Sequence, residues 1–438
     1  MPSRASEPPS ASGTPRPSGS LRPHEALQDA QFAAHIGFIF TGFVNTLLGP
    51  ILPIVSRAWS LNDAQAGRLF AAQFLGAILG TMASSRLMAA LGIRRCAMLG
   101  LLLMSLGVTA TGFSDARFGA LAVVCFGLGL GVAVPAINLW IALADPARSA
   151  AALTLLNAWW CLGAASCAPL IIFVAEHIGL AKTLGSLGVL LALTAIAGVV
   201  ASMRRAPNVA SASPAEPAFV AADPAALAQS TQPIAPAPVG PLPRLQPSAQ
   251  RTFIFLICTF MFFYVGTESG VGGWAATYAQ RLNLLSAARI GFAQSIFYGA
   301  LLLGRAIVPF FLHRISAVRL LLAGLLLGAA GALLFTITAR PPLVLAGICI
   351  AGIGLAPIFP VTVSIYSDEL SSTATRSASL VFTIANVGGA LFPWLIGRVS
   401  TSMNGLRYGM LVPLACIAAM LVLQSRLSAT LRRGVRGL

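Results

Sequence analysis

Long apolar runs alternate along the chain with short polar segments that contain arginine, aspartate and proline. Each run reaches the ~20 residues that a helix needs to cross a bilayer, and a helix satisfies its own backbone polar groups there. We therefore predict an all-α integral membrane protein with twelve transmembrane helices arranged as two six-helix bundles. The predicted spans are 33–57, 64–90, 95–114, 117–143, 149–175, 180–202, 252–280, 287–312, 317–338, 342–366, 376–400 and 405–426.

A break separates the sixth predicted span from the seventh. Residues 204–250 are rich in proline, alanine and serine, and a segment of this composition has too little packing hydrophobicity to fold. We predict that it is a flexible cytoplasmic linker between two domains. The predicted division is a disordered cytoplasmic tail at 1–30, an N-terminal bundle at 31–203, the linker at 204–250, a C-terminal bundle at 251–428 and a basic cytoplasmic tail at 429–438.

Charged residues make up only 9% of the chain, against roughly 25% in an ordinary soluble domain. The net charge of +16 comes almost entirely from arginines. Many of them lie in short segments between apolar runs, a pattern that sets membrane orientation and does not indicate nucleic-acid binding. With both termini inside, 18 Lys and Arg residues fall in cytoplasmic segments and 9 in external loops. We therefore expect a multi-pass protein of the inner (plasma) membrane, in contact with lipid and with both termini cytoplasmic.

The sequence contains none of the common motifs of catalysis or cofactor binding. There is no Walker loop, no Gly-x-Ser-x-Gly, no His-Glu-x-x-His and no Cys-x-x-Cys, and the seven cysteines lie mostly within apolar runs. We interpret these cysteines as small buried hydrophobic residues. We expect a monomer that is not an enzyme and that uses no cofactor and no metal.

The two sets of six spans carry similar landmarks in the same order and at nearly constant separation. Gly127, Gly129 and Pro135 in the fourth span recur with identical mutual spacing as Gly352, Gly354 and Pro360 in the tenth. Pro169 and Pro393 are 224 residues apart, and so are Arg95 and Arg319. We call this separation the repeat offset. Two halves of six helices in the same orientation are the parallel repeats of alternating-access transporters.

The loop after the second span resembles a family signature. It contains Gly80, Ser85 and Arg86, then Gly92, Arg94 and Arg95. This arrangement is similar to the Gly…Asp-Arg…Gly-x-Arg-Arg loop of the major facilitator superfamily, with Ser85 at the acidic position. The resemblance covers residues 33–426 apart from the linker, and it implies the major facilitator fold and secondary transport.

Three stretches are similar to the fucose–galactose–glucose:proton symporter group and its glucose-transporting relatives. They are 264–274 in the seventh span, 356–360 in the tenth and 135–138 in the fourth. That group has acidic residues for proton coupling in its first and fourth spans, where this chain has Asn45 and Gly49, and Ile137 beside Asn138. The resemblance therefore implies a sugar-type transporter and leaves open whether a proton or sodium couples transport.

Glu268 is the one acidic residue deep within a predicted span. An acid at a helix centre costs roughly 2.5–3.5 kcal/mol on insertion scales, so such a residue usually faces a polar cavity. We expect it to exchange protons with that cavity and to couple proton movement to transport. A structural hydrogen bond or a buried ion pair is the alternative.

Arg305 in the eighth span is the obvious ion-pair partner for Glu268. Counted from the cytoplasmic ends of the two spans, however, their depths differ by ~12 Å of helix rise. We therefore do not expect direct pairing. We assign Arg305, together with Arg86, Arg94 and Arg95, to gate or loop contacts.

A sugar offers hydroxyl groups and one apolar ring face, so its site needs amide or carboxylate partners and aromatic plates. The candidate amides are Asn45, Gln73, Asn138, Asn157, Gln294 and Asn386. The candidate aromatic residues are Trp274, Tyr278 and Tyr298, along with Trp140, Trp160 and Trp394. Interhelical hydrogen bonds for the amides and an interfacial position for the tryptophans are the alternatives. Trp274 is favoured because it follows Glu268 by one and a half helical turns.

Together these features predict a secondary active transporter that moves a small polar solute, a hexose-type sugar, by alternating access with proton coupling through Glu268. One alternative is a drug or metabolite exporter of the same superfamily, whose cavity would bind amphipathic cations through aromatic residues and the acid. The other alternative is a non-transporting membrane sensor.

Overall fold

A computed structural model describes residues 23–144, 149–203, 247–283, 291–312, 314–370 and 374–436. Over these ranges the secondary structure is helical and includes no strand. The fifteen helices of the described part are α1 (Pro23–Asn45), α2 (Leu48–Ala58), α3 (Asp63–Leu91), α4 (Ile93–Phe113), α5 (Gly119–Ala144), α6 (Ser149–Ile178), α7 (Leu180–Met203), α8 (Pro247–Arg281), α9 (Phe292–Leu312), α10 (Ala317–Ile337), α11 (Pro341–Leu355), α12 (Ile358–Leu370), α13 (Ala374–Ser402), α14 (Leu406–Gly409) and α15 (Leu411–Arg436).

The predicted number of membrane crossings is confirmed. Eleven helical segments are long and apolar enough to cross a membrane, and the pair α1–α2, bent by 44°, makes a twelfth. The helices α11 and α12 together form the tenth crossing, and α14 with α15 forms the twelfth.

Two crossings that we predicted as continuous helices are broken by prolines. The first crossing breaks at Thr46–Leu47, because Pro50 has no N–H to donate to the Thr46 carbonyl four residues earlier. The tenth breaks at Ala356–Pro357, where Pro357 likewise cannot continue the ladder of hydrogen bonds.

Several helices extend beyond the predicted spans. Helices α1 and α8 begin at Pro23 and Pro247, and α15 ends at Arg436, so the predicted boundaries at residues 30, 250 and 428 fall inside helices. Hydropathy marks only the apolar part of a helix, whereas proline at the first helical position favours a polar beginning that hydropathy does not detect. Residues 1–22 and 204–246, which hold most of the predicted tail and linker, lie outside the described residues.

Each half of the chain packs its six crossings in the same pattern. In the N-terminal half, α5 packs against α3 and α4, α1 against α6, and α7 against α1 and α4. In the C-terminal half the corresponding helices make the corresponding pairs: α11 against α9 and α10, α8 against α13, and α15 against α8 and α10. The repeat in the sequence is therefore also a repeat in the packing.

Glycines of the repeat allow equivalent close approaches in the two halves. A Cβ on Gly127 of α5 would clash with the carbonyl oxygen of Gln73 in α3. A Cβ on its counterpart Gly352 would lie 2.6 Å from the carbonyl oxygen of Phe297 in α9. Gln73 and Phe297 are themselves related by the repeat offset, so both partners of the contact follow the repeat.

The outward-facing surface of the helices is apolar. Large hydrophobic side chains that are exposed include Leu106, Leu121, Phe255, Leu303, Phe310 and Val422. Soluble monomers rarely expose contiguous apolar patches of this kind. These side chains therefore form the surface that contacts lipid.

Candidate functional site: a polar cavity between the two halves

The two halves meet along three helix pairs, which are α3 with α13, α6 with α9, and α2 with α8. Their contacts extend to the helix ends that carry Asp63, Arg281 and Ser400, which we call the closed end.

An ion pair joins the halves at the closed end. Asp63, the first residue of α3, accepts hydrogen bonds from both Nη atoms of Arg281, at 2.6 Å for Nη1, and from the Ser400 hydroxyl. Beside it, the Ala64 N–H donates to the Thr401 hydroxyl at 2.9 Å. We did not predict this contact, although the sequence places an acid and an arginine at the external ends of the second and seventh spans.

A small polar cavity lies between the halves, where the first crossing is broken. Its walls are Asn45, Thr46, Gly49, Phe70, Gln73 and Phe74 from the N-terminal half and Ser269, Gly273 and Tyr298 from the C-terminal half. Its volume is ≈ 20 Å³, which is room for roughly one or two water molecules. The structure therefore brings together three predicted substrate residues, Asn45, Gln73 and Tyr298.

The walls of the cavity follow the repeat. The repeat offset relates Asn45 to Ser269, Gly49 to Gly273, and Phe74 to Tyr298. It also relates Phe70 to Gln294, and each of these two lies against the glycine of the opposite half, Gly273 and Gly49 respectively. A solute in this position can contact equivalent elements of both bundles, as alternating access requires.

Two glutamine amides are held at the broken turn of the first crossing. Gln73 Nε2 donates to the Asn45 carbonyl at 2.8 Å, and Gln294 Nε2 donates to the Thr46 carbonyl at 2.9 Å. The Thr46 carbonyl is the one that Pro50 leaves without its helical donor. Both glutamine Oε1 atoms are buried without a hydrogen-bond partner among the described residues. Since a buried acceptor without a donor costs about 1–3 kcal/mol, each oxygen is suited to accept from a hydroxyl group or from water.

Glu268 and Arg305 form an ion pair in the interior, so the expectation that they would not pair is wrong. Arg305 Nη2 lies 3.5 Å from Glu268 Oε2 and donates to the Tyr264 hydroxyl at 3.1 Å. Arg305 Nη1 donates to Cys161 Sγ of the other half at 3.5 Å. The Phe359 ring centroid lies 5.8 Å from the guanidinium carbon. Arg305 therefore lies within α9 at the junction of the halves and not in a loop, and its assignment to a gate contact stays a prediction.

The unequal lengths of α8 and α9 explain why the predicted depths of Glu268 and Arg305 differed. Helix α8 has 35 residues and α9 has 21, so their far ends do not lie at the same level. Counted from the connection between the two helices, Glu268 precedes Arg281 by as many positions as Arg305 follows Phe292. Both are therefore ~20 Å along their helices from that connection.

The ion pair is confined to one half of the repeat. By the repeat offset, Glu268 corresponds to Val44 and Arg305 corresponds to Thr81. The N-terminal half thus packs its equivalent helices without these charges. The pair is also partly accessible, with 14% of the Glu268 side chain and 22% of the Arg305 side chain exposed. Helix packing alone therefore does not account for the two charges.

Two predicted aromatic residues do not line the cavity, although the Trp274 ring centroid lies 6.1 Å from that of Phe70 in the cavity wall. Trp274 is fully buried, and its Nε1 donates to the Pro393 carbonyl at 2.9 Å. Tyr278 is buried as well, and its hydroxyl donates to the Phe335 carbonyl at 3.0 Å. In this conformation both side chains hold α8 to its neighbours near the closed end.

The other candidates lie outside the cavity walls. Asn138 and Asn157 donate to carbonyls four residues earlier in their own helices, those of Val134 and Leu153. Asn386 is partly buried on α13. Trp160 and Trp394 contribute backbone atoms to close contacts with glycines, those of Gly42 and Gly67.

The three arginines assigned to loop contacts surround the connection between α3 and α4. Arg86 and Arg95 are at least partly exposed. Arg94 places its guanidinium carbon 5.4 Å from the ring centroid of Trp140 in α5. This cation–π contact ties the start of α4 to the end of α5 within the N-terminal half.

Replacing Arg94 with glutamine is expected to lower thermal stability slightly and to leave transport unchanged. The lost cation–π contact contributes about 0.5–1 kcal/mol, which corresponds to a decrease of about 1–3 °C in Tm for a protein of this size. A thermal-shift measurement in detergent checks this, with the exposed neighbour changed as Arg95→Gln for comparison. Equal Tm values for the two variants would contradict the assignment.

The sequence over residues 34–393 matches the family model described as Major Facilitator Superfamily. The chain belongs to this superfamily. Major facilitator proteins are multi-pass membrane transporters and not enzymes, so this protein is a secondary transporter. No curated protein sequence matches the chain.

Solved structures of other major facilitator proteins share the fold. One is the transporter FucP in the outward conformation, with a TM-score of 0.58 and 16% identity over 92% of this chain and 99% of that chain. Another is a bacterial homolog of the human lysosomal transporter Spinster in an inward-facing, unoccupied conformation, with a TM-score of 0.71 and 15% identity over 95% of this chain and 99% of that chain. At these identities the likeness establishes the fold.

Proposed function

We propose that this major facilitator protein transports a hexose-type sugar across the inner membrane by alternating access and couples that transport to protons through Glu268. The observation that carries the proposal is the polar cavity between the halves. The Gln73 Oε1 in its wall is a buried acceptor without a donor, and the Gln294 Oε1, likewise without a donor, lies against Gly49 of the wall. Ser269 of the wall is the residue that follows Glu268 in α8.

The chemistry of the cavity suits a ring with many hydroxyl groups. A hydroxyl both donates and accepts, so sugar hydroxyls can supply the donors that Gln73 Oε1 and Gln294 Oε1 lack. Phe70 and Phe74 in the same wall offer apolar surface to the ring face. One structure that shares the fold is the E. coli fucose:proton symporter, at 16% identity and a TM-score of 0.55.

The present volume of the cavity fits a transport cycle better than a fixed binding site. A space of ≈ 20 Å³ does not hold a hexose, so the halves must separate around it before solute binds. Rocking of one bundle against the other changes this volume and opens each end in turn. The broken first crossing, whose freed carbonyls accept from both bundles, provides backbone groups that line the moving interface.

In this proposal Glu268 is the proton site and Arg305 is the group that responds to it. The ionised carboxylate attracts Arg305, and protonation removes that attraction. Since Arg305 also contacts Cys161 in the other half, a change in the charge of Glu268 alters a contact between the bundles. Proton binding is therefore linked to the motion that moves the solute.

Uptake by the full-length protein in proteoliposomes tests the proposal. Radiolabelled ring sugars, both neutral hexoses and their oxidised acid forms, are supplied with the vesicle interior more alkaline than the exterior. We expect at least one of them to accumulate above its external concentration and to leak out when a protonophore collapses the pH gradient. Export of amphipathic dyes, with no binding or exchange of any ring sugar, would favour the exporter alternative and contradict the proposal.

A further inference from the structure

Glu268 satisfies Arg305 only in part. The Nη2–Oε2 distance of 3.5 Å is longer than the about 2.7–2.9 Å that is typical of a charge-assisted hydrogen bond. The Arg305 Nε is buried without a hydrogen-bond partner among the described residues. At the closed end, by contrast, Arg281 engages Asp63 through both Nη atoms. A guanidinium carries five donors in a planar fork that matches a carboxylate, so Arg305 retains donors for a second anionic group.

The guanidinium of Arg305 lies at the junction of the two halves. Its Nη1 reaches Cys161 in the opposite half, so it spans the interface that opens and closes during alternating access. Its side chain is partly exposed, as is that of Glu268. Ser269, which follows Glu268 in the chain, belongs to the wall of the cavity.

Proton binding by Glu268 changes the charge balance around Arg305. The two side chains together are neutral while the carboxyl group is ionised. When the carboxyl group takes a proton, the guanidinium keeps a positive charge without a counter-ion in the interior, which is strongly unfavourable. A neutral sugar does not provide that counter-ion, whereas a solute with one carboxylate does.

We propose that the solute is a hydroxylated monocarboxylate, a sugar acid, whose carboxylate binds Arg305 while Glu268 carries the co-transported proton. This inference rests on the proposed function, because it uses the same cavity and the same proton site. The amide oxygens of Gln73 and Gln294 accept from the hydroxyl groups, and Arg305 selects the charged end. One proton then moves with one monoanion, so a transport cycle carries no net charge.

The charge carried per cycle separates a sugar acid from a neutral sugar. Proteoliposomes that contain the full-length protein are given D-glucuronate, D-gluconate or D-galacturonate, or the matched neutral probes D-glucose and D-galactose. A pH gradient and a potassium diffusion potential are imposed separately. We expect an acid probe to accumulate up to about tenfold for a gradient of one pH unit, with no effect of the diffusion potential and no accumulation of the neutral probes.

Each other result has a definite meaning. Accumulation of a neutral hexose that depends on the diffusion potential, without accumulation of any acid, would overturn this inference and leave the proposed function standing. Failure of every probe to accumulate or exchange would overturn both. Accumulation of an acid probe driven by the diffusion potential would show that more than one proton accompanies the anion, which contradicts the charge balance proposed here.

Variants of Arg305 test whether this side chain binds the carboxylate directly. We expect Arg305→Gln to weaken binding of the acid probe by 100-fold or more in a thermal-shift titration. Arg305→Lys keeps the charge but loses the planar fork, and we expect it to weaken binding by about tenfold. The peripheral Arg319, changed as Arg319→Gln, is the matched control and should bind as the wild type does. If Arg305→Lys and Arg305→Gln both remain folded and bind the acid with wild-type affinity, the assignment is wrong.

Glu268→Gln adds a readout that a purely structural role would not affect. The amide resembles the protonated carboxyl group and no longer competes for Arg305, so we expect this variant to bind the acid probe about tenfold more tightly at neutral pH. We also expect its affinity to be independent of pH, whereas wild-type affinity rises as the solution is acidified. Weaker binding by the variant, or an unchanged pH dependence, would overturn the inference.

Discussion

Replacing Glu268 with glutamine is expected to abolish pH-driven accumulation of solute while leaving solute exchange across the membrane intact. Glutamine has nearly the shape of a protonated glutamate but neither takes up nor releases a proton. The Arg305 guanidinium, now 3.5 Å from that carboxylate, would face a neutral group at every stage of the cycle. The carrier could still move loaded solute in either direction, but a pH gradient would no longer bias that movement.

The size of the effect follows from the energy of the gradient. One pH unit corresponds to about 1.36 kcal/mol per proton, which supports a tenfold concentration ratio for one proton per solute. We expect the wild type to approach this ratio in proteoliposomes and the variant to remain at about onefold. Counterflow, in which internal unlabelled solute drives uptake of labelled solute, measures exchange separately from accumulation.

Controls distinguish lost coupling from lost folding. Glu176→Gln makes the same chemical change at an exposed position near the end of α6 and should retain full accumulation. Glu268→Gln leaves Arg305 without its counter-ion, which destabilises an interior pair, so the double variant Glu268→Gln with Arg305→Met is also informative. It should recover thermal stability without recovering accumulation. Wild-type accumulation and pH dependence in a folded Glu268→Gln protein would remove the proton role.

The features that the sequence predicts well are those with a one-dimensional signal. Hydropathy locates the twelve crossings because lipid demands ~20 apolar residues in each. A nearly constant separation between matching landmarks reveals the repeat, and its glycines occupy equivalent contacts. Three of the predicted substrate residues, Asn45, Gln73 and Tyr298, line the cavity because they lie on crossings that face the interface.

The predictions that were wrong concern how helices are placed relative to one another in three dimensions. The pairing of Glu268 with Arg305 depends on which helix ends lie at the same level, and hydropathy does not give the unequal lengths of α8 and α9. Trp274 follows Glu268 in the chain, but its indole turns toward Pro393. The broken turn did have a sequence signal, since Pro50 lies four residues after Thr46.

Replacing Asp63 with asparagine is expected to loosen the closed end and to populate a conformation in which the halves separate there. The asparagine side chain keeps the size of aspartate but loses the charge that receives both Nη atoms of Arg281. Hydrogen bonds to charged groups contribute about 1.5–3 kcal/mol each. Because 45% of the Arg281 side chain is exposed and therefore screened by solvent, we expect a net change near the lower limit, about 1.4 kcal/mol, which is a tenfold shift in the ratio of the two conformations.

Distances across the closed end measure this shift. Nitroxide labels at Arg68→Cys in α3 and Met403→Cys after α13, both exposed positions, are placed in a background with the native cysteines replaced by serine. Double electron–electron resonance should then show a longer distance component that grows in the Asp63→Asn variant. Arg281→Gln should produce the same component, because it removes the other partner of the ion pair.

Asp115→Asn provides the matched control for Asp63→Asn. Asp115 lies between α4 and α5, and its carboxylate accepts from the backbone N–H groups of Arg117 and Phe118 in its own turn. The Asp115→Asn substitution therefore removes a carboxylate from the N-terminal half without changing the contact between the halves. The label-to-label distance distribution of this variant should match that of the protein without the substitution. If Asp63→Asn also leaves the distribution unchanged, closure depends on the packing of α3 against α13, where the Asp63 carbonyl already lies against Gly397, and the ion pair has no part in it.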